Sequence, residues 1–521
     1  MENFRPAILF QDGCVLQRRK PITVWGAGPE GEQVAVSLAG KRTCCVVRDG
    51  RWECILPAME ADRGLEMTLS CGEEEYRVRD VSVGEVWIAG GQSNMEYFLR
   101  YDSRWEDTQS LPVNGDIRMF NVPRLTYPEQ PKDVSDSGYW FREGERAWET
   151  FSAPGYAFAR EIQPVLGVPV GIIGCNWGGT SASTWMDERY MEEEPLNVYL
   201  KDYEEAVAGK DPEELIRLEK EAYAVEDDPE RQRAWAGVMI GIDLKEQEEW
   251  IARSAGEAEN PVGPYHTARP GRLYHQMLEK IIPYGVQGVL WYQGESDENH
   301  AEIYDKLFSA MIRCFRDSFG QELPFVFVQL APFGRWLEAS GEKYPELRRR
   351  QEAVSKTVPG VHMVSIMDLG MYEDIHPKQK MEVGERLALL ARGKVYGENL
   401  LCESPEVMGG KRTQEGIRLS FANTGDGLWE SKEEPEAEEE AAVPSILTGP
   451  EEMNEGFVII QGGVRVPVDE VVLDRNEILL RASGLKDAPC QVSFAQVPYI
   501  KVRIFNSADL PMKPFSCEVR G

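Results

Sequence analysis

Gly90-Gly91-Gln92-Ser93-Asn94-Met95-Glu96 follows directly on the apolar run Val86-Trp87-Ile88-Ala89. A β-branched and aromatic run that stops at paired glycines reads as a buried strand entering a tight turn. Ser93 then lies at the strand's carboxyl end, where open α/β sheets bind ligands. A serine there either caps the helix that Ser-Asn-Met-Glu begins or acts as a nucleophile. Taken alone, Ser93 favours the cap. The segments around Gln293 and His376 reverse that preference.

Outward from this turn, strand-like and helix-like runs alternate. Strands are expected at Ile117 to Val122, Pro169 to Gly174, Val286 to Tyr292, Pro324 to Leu330 and His362 to Ile366. Helices are expected near 154–166, 272–282, 302–318, 346–357 and 378–392. Such alternation predicts an α/β domain over 81–396, a parallel sheet covered on both faces. Residues 187–262 interrupt the rhythm. They are rich in Glu, Lys, Arg and Ala and predict a mostly solvated helical insertion.

Residues 1–80 read as all-β. Runs such as Pro21 to Trp25, Gln33 to Leu38 and Glu66 to Ser70 are separated by Gly, Pro and Asp turns, which suits a small β-sandwich. Residues 397–521 return to β texture and predict a second β-rich domain. It carries a low-complexity acidic loop at about 430–442.

Acidic residues outnumber basic ones by 88 to 57, a formal charge of −31, which repels nucleic acid and anionic membranes. No apolar run reaches the roughly 18 residues of a membrane helix. The first residues carry no basic segment followed by a long apolar one, so a cytoplasmic protein is expected unless a leader has been removed. The ten cysteines form no CxxC pair and point to free thiols rather than a metal site. No metal or organic cofactor is called for.

A serine nucleophile needs a base, an orienting acid and oxyanion donors. Of five histidines, His376 alone follows the last predicted parallel strand, in Glu373-Asp374-Ile375-His376-Pro377. Its loop and the Ser93 turn both lie at the sheet's carboxyl end. Asp374 is placed to accept the second ring proton of His376, and Pro377 to open the next helix. By themselves, Asp374 and His376 also fit a capping arrangement. The Ser93 amide is one oxyanion candidate. A second is the turn Asn176-Trp177-Gly178-Gly179-Thr180-Ser181, with Gly179 preferred narrowly over Gly178. The third is the Gln293 amide in Trp291-Tyr292-Gln293-Gly294-Glu295-Ser296. Glu295 holds that loop or acts as a helix N-terminal carboxylate.

Gly91-Gln92-Ser93-Asn94-Met95-Glu96, Trp291 to Ser296 and Asp374-Ile375-His376-Pro377 resemble the three signature blocks of the sialate O-acetylesterases, within the broader SGNH (GDSL-like) hydrolases. Asp12 to Arg18 with Val24-Trp25-Gly26, Arg269-Pro270, and Lys380 with Val383 to Ala388 fit the same pattern, as does Leu510-Pro511. The resemblance spans almost the whole chain. It implies a three-layer α/β/α hydrolase domain flanked by β-rich domains, and hydrolysis of acetyl esters on a sugar. Ser93 is then the nucleophile, His376 the base, Asp374 its partner, and Ser93, Gly179 and Gln293 the oxyanion donors. One block departs: Tyr274-His275-Gln276-Met277 stands where relatives tend to read Tyr-Asn-Gly-Met.

For the substrate itself, Gln92, Trp177, Trp185, Arg269 and Glu295 are the candidate contacts. Sialic acid carries a carboxylate that the acidic chain repels, so arginines such as Arg100 or Arg269 must compensate. Neutral acetylated glycans, such as acetylxylan, need no such help. Two other functions compete: a broad small-ester or lipid hydrolase, and a carbohydrate-binding protein without catalysis. Trp, Gln, Glu and Asn in the active-site loops disfavour the first; an intact Ser-His-Asp set disfavours the second.

Overall fold

The computed structural model describes residues 4–127, 130, 137–226, 229–241, 260–336, 339–431 and 456–520. Its centre is a sheet in the order Trp140–Phe141, Ile117–Asn121, Val170–Asn176, Glu74–Gly91, Gly288–Tyr292, Phe325–Val328, Val361–Val364. All neighbours pair in parallel except the edge strand Trp140–Phe141. The chain leaves the central strand toward one side, returns, and then builds the other side. Ser93 follows that central strand, where strand order reverses and α/β sheets open a crevice.

Glu74–Gly91 ties the Ser93 turn to two regions of the fold. Its first half pairs antiparallel with Asp62–Cys71 and belongs to the N-terminal β region. From Glu85 onward it pairs with Val170–Asn176 and, from Trp87, with Gly288–Tyr292. The boundary expected near residue 80 therefore falls inside one continuous strand. Residues 81–91 are all buried, which fits a near-continuous apolar run in a sheet covered on both faces.

Successive residues of this strand serve opposite layers. Trp87 packs on Phe158 of the helix Ala153–Leu166, with ring centroids 5.0 Å apart. Gly90 faces the Trp291 ring, which packs against Phe308 and Phe315 of the helix Tyr304–Phe319. Helix Lys380–Lys394 covers the first layer beside Ala153–Leu166, and Tyr344–Thr357 lies beside Tyr304–Phe319 in the second. The expected strands and helices all form. The segment 272–282 is the exception, splitting into an α-helical turn Arg272–Gln276 and a 3-10 turn Leu278–Lys280.

The N-terminal region forms two small antiparallel sheets, one of Arg5–Pro6, Ile22–Ala27 and Arg51–Leu56. The other joins the central sheet through Glu74–Gly91. The C-terminal region is an eight-stranded sheet with its own apolar core. Buried Arg348 pins it to the central domain by donating to the carbonyls of Ala331, Val497 and Pro498. Nearly all of the acidic loop at about 430–442 lies outside the described residues. The insertion contains helices Asn197–Val207, Pro212–Glu226 and Pro229–Ile240. Residues 227–228 and 242–259 of it are not described.

Candidate active site

Gly91 makes the turn possible. Its φ is +138°, and a Cβ there would lie 2.1 Å from the Tyr292 carbonyl oxygen. The chain then enters a single helical turn, Ser93–Glu96, whose cap is Gln92. Ser93 is therefore the first helical residue and not the cap. Its hydroxyl is free for another partner, and it lies 3.0 Å from His376 Nε2.

His376 is 2% exposed and sits in a loop that precedes helix Lys380–Lys394. The helix starts at Lys380 and not at Pro377. Asp374 Oδ1 accepts the His376 backbone N–H at 2.8 Å and lies 3.3 Å from His376 Nδ1. The ring nitrogen is near enough for charge attraction but not aligned for a hydrogen bond. Loose alignment of this kind is common in unliganded sites and tightens with substrate. Asp374 Oδ2 receives Lys378 Nζ at 2.7 Å.

The electrostatics suit a base. Burial pushes His376 below its ordinary 6.5, against the opposing pull of Asp374, so the imidazole is neutral near pH 7. Burial would raise Asp374, but His376 and Lys378 outweigh it and hold the carboxyl below 3.8. The Trp336 ring stands edge to face on His376, with centroids 5.2 Å apart.

The oxyanion candidates separate. Among the described residues the Ser93 and Gly179 amides have no hydrogen-bond partner. Gly178 lies against Ser93, where a Cβ would be 3.2 Å from that of Ser93, but its N–H is donated to Glu96 Oε2 at 2.6 Å. Gly179 is exposed beside it. The Gln293 amide needs correction. It is fully buried, and its Nε2 donates to Thr180 O at 3.1 Å and Asp297 Oδ2 at 2.5 Å. Both amide protons are spent, so Gln293 braces the glycine turn and does not face an oxyanion.

The expected substrate contacts fare unevenly. Trp177 is half-buried at the glycine turn, with Arg124 over its ring at 5.7 Å. Trp185 is fully buried and packs on Trp291, so it is core. Gln92 is 3% exposed and accepts from the Gly294 and Ser296 amides, a structural tie. Arg269 donates to Pro264 O and lies over Tyr203. Arg100 stacks on Phe98 and Tyr101. Glu295 turns its carboxylate inward to Asn94 Nδ2, 2.5 Å away.

Four residues went unread in the sequence. Lys378 has a local signal, four residues after Asp374. Trp336, Arg124 and Trp235 have none, because long loops and the insertion bring them in. Arg124 pairs with Glu96, next to the glycine turn. Trp235 of helix Pro229–Ile240 packs on Trp336 with centroids 6.3 Å apart. The same helix end offers its Met239 carbonyl to Lys378 Nζ and Tyr97 Oη, each at 2.7 Å. The insertion is seated at the site and is not merely a solvated surface.

The family model for carbohydrate esterases of the sialic acid-specific acetylesterase type matches residues 260–391, which hold Gln293, Asp374 and His376. The sialate O-acetylesterase of Rattus norvegicus is 27% identical over 77% of this chain and 76% of its own length. That of Homo sapiens is 25% identical over 77% and 73%. A carbohydrate acetylesterase of Xanthomonas citri shares the fold at a TM-score of 0.72, with 27% identity over 98% of this chain and 99% of that one. These resemblances point the same way: the chain is similar to the sialate O-acetylesterases and is a carbohydrate esterase, a carboxylic-ester hydrolase.

Proposed function

We propose that this protein is a carbohydrate O-acetylesterase, with O-acetylated sialic acid as its substrate, working through an acetyl-enzyme on Ser93. The observation that carries this reading is the 3.0 Å approach of Ser93 Oγ to a buried, neutral His376. His376 Nε2 takes the serine proton as Oγ attacks the acetyl carbonyl. The oxyanion that forms is received by the Ser93 and Gly179 amides, which donate to no other group among the described residues. Asp374, held ionised by His376 and Lys378, stabilises the imidazolium. The imidazolium returns its proton to the leaving sugar oxygen. Water then enters by the same route in reverse.

The arginine proposed to meet a sugar carboxylate is Arg124, which pairs with Glu96 three residues after Ser93 and lies over Trp177. Its Glu96 partner offsets part of its charge, so a sugar carboxylate competes with Glu96 for it. The test is a steady-state panel of O-acetylated sialic acids and neutral acetylated sugars, run with mass spectrometry of quenched enzyme. Preferential turnover of the sialic acids, with a one-acetyl mass increment lost in Ser93→Ala, supports the proposal. Turnover of neutral sugars alone transfers the reading to a neutral-glycan acetylesterase, and turnover without Ser93 ends the acyl-enzyme.

A further inference from the structure

Directly behind Ser93 and His376 lies a buried chain of polar groups that the hydrolytic cycle does not use. Lys380 is fully buried and Asn94 is 1% exposed. Lys380 Nζ donates to Asn94 Oδ1 at 2.5 Å. Asn94 Nδ2 donates to Glu295 Oε1 at 2.5 Å and to the Ile375 carbonyl at 3.0 Å. Asn94 is the neighbour of Ser93, and Ile375 that of His376. One side-chain amide therefore ties the nucleophile's turn to the base's loop.

We propose that Lys380 is a positioning residue of the reaction: its ammonium fixes the polarity of the Asn94 carboxamide, and that carboxamide holds Ser93 and His376 in register. The proposal rests on the acyl-enzyme reading above.

A carboxamide can be seated either way round, because its two ends have nearly the same shape. Here the partners decide. An ammonium only donates, and carboxylate and carbonyl oxygens only accept. Reversing Asn94 would set its N–H groups against the Lys380 ammonium and its oxygen against Glu295 and Ile375. All three contacts would be repulsive, in an interior where an unmade hydrogen bond costs most. With the lock set, Nδ2 must reach Ile375. Without it, only Glu295 and the Ile375 carbonyl direct the amide, and the tie between the two loops weakens.

The lock is tied to a proton. Lys380 is faced by Lys378 and Asp374 from the histidine loop, and by Asp102, whose Oδ2 caps the helix at Met381 N. The rings of Tyr97 and Tyr292 lie 5.0 and 5.2 Å from its Nζ, and Glu295 faces it across Asn94. Burial, with help from Lys378, pushes Lys380 down to about 7, while Glu295, Asp374 and Asp102 oppose the fall. Burial also pushes Glu295 up, and its Oε2 has no partner among the described residues. A neutral amine carries a lone pair and accepts as well as donates. Above the Lys380 pKa the charge-assisted bond to Asn94 Oδ1 is lost, the amide is held by Glu295 and the Ile375 carbonyl alone, and the register loosens.

The experiment measures kcat and KM for p-nitrophenyl acetate from about pH 5.5 to 9. The enzymes are wild type, Lys380→Met, Asn94→Ala, their double variant, and Ser93→Ala, each checked by circular dichroism. Wild type is expected to lose kcat reversibly on the alkaline side of neutrality. Lys380→Met is expected to lower kcat about 10- to 100-fold with KM within about two-fold, as a misplaced catalytic group does, and to lack that alkaline limb. Because Lys380 acts through Asn94, the double variant should be no slower than the slower single one. An alkaline limb retained in Lys380→Met, or losses that multiply in the double variant, overturns the proposal. If Lys380→Met does not fold, Asn94→Ala decides alone: it keeps the lysine, must lose the limb, and overturns the proposal by keeping it. An inactive Ser93→Ala beside normal Lys380 variants sinks only the positioning role. A Ser93→Ala enzyme as fast as wild type sinks the acyl-enzyme reading with it.

Discussion

Gln293 Nε2 lies 2.5 Å from Asp297 Oδ2, with neither residue more than 1% exposed. Asp297 also receives Ser181 Oγ at 2.5 Å, the Ala182 amide at 3.0 Å and Tyr199 Oη at 3.1 Å. Burial raises its carboxyl against these four donors. The pair thus anchors the strand end that carries Gln293 to the turn that carries Gly179.

This sets a graded expectation. Gln293→Ala should lower kcat about 10-fold, below the roughly 10²–10³ that removing a direct oxyanion donor costs. Asp297→Ala strips the hub from several buried donors and should cost about 3 kcal/mol of stability as well as activity. Urea unfolding beside steady-state kinetics separates the two. A kcat loss near 10³-fold in stable Gln293→Ala would restore the amide as a direct donor.

Ser93→Ala and His376→Ala should each lower kcat by about 10⁴-fold or more, with little further loss when combined, since the two act as one unit. Asp374→Asn should fall between these and Gln293→Ala, because it disturbs the histidine without removing a reacting group. Single-turnover rates together with circular dichroism test the order.

Acidification should remove activity before it unfolds the protein. The base works only as the neutral imidazole, so kcat/KM should fall as pH drops through a value below 6.5. In the unfolded chain His376 takes up its proton near 6.5, so stability also declines as pH falls from there toward the folded value. Asp374 works further down. Its folded pKa is below 3.8, so its contribution is present above 3.8 and is lost as pH falls through the folded value. A pH–rate profile beside thermal melts reads both, and an acid limb above 6.5 would contradict the assignment.

The edge-to-face contacts of Trp235 with Trp336 and of Trp336 with His376 predict a substrate-size effect. Trp336 touches the His376 ring and the half-exposed Trp235 touches Trp336, so a sugar leaving by way of His376 would meet this pair. Trp235→Ala should raise KM for an acetylated sugar about 3- to 10-fold, the size of one lost aromatic contact, and leave p-nitrophenyl acetate unaffected. Equal effects on both esters would assign Trp235 to packing alone.

Much of this architecture is readable along the chain. The strand Val86 to Ala89, the glycine turn and the serine that follows are encoded by neighbours in sequence, through periodicity and the need for Gly91 at a positive φ. The same holds for the helix Ala153–Leu166, which begins at a serine whose side chain accepts from Gly155 N. His376 could be picked out because histidines are few and it follows the last parallel strand.

What the linear pattern could not express is which polar atoms are already taken. Gln293 has the residue type and the strand-end position of an oxyanion donor, but Thr180, 113 residues away, accepts one of its protons. Gly178 and Gly179 are equivalent as letters; Glu96, 82 residues from Gly178, separates them by binding one amide. The insertion's charged composition describes its outer face correctly yet says nothing of Met239, whose carbonyl seats it on Lys378.

By itself, then, the sequence determined the order of strands and helices, the end of the sheet that carries the chemistry, and the serine and histidine that meet there. The elements follow from local rules of turn and periodicity; the serine and histidine follow from reading separate segments together and from the motif resemblance. Tertiary structure alone decided which amides are free to receive charge, which tryptophan meets the histidine, and that a buried lysine and glutamate orient the amide between the Ser93 and His376 loops. Those outcomes depend on donors and acceptors far apart in the chain, each with a fixed number of hydrogen bonds to give, and only folding shows where they are spent.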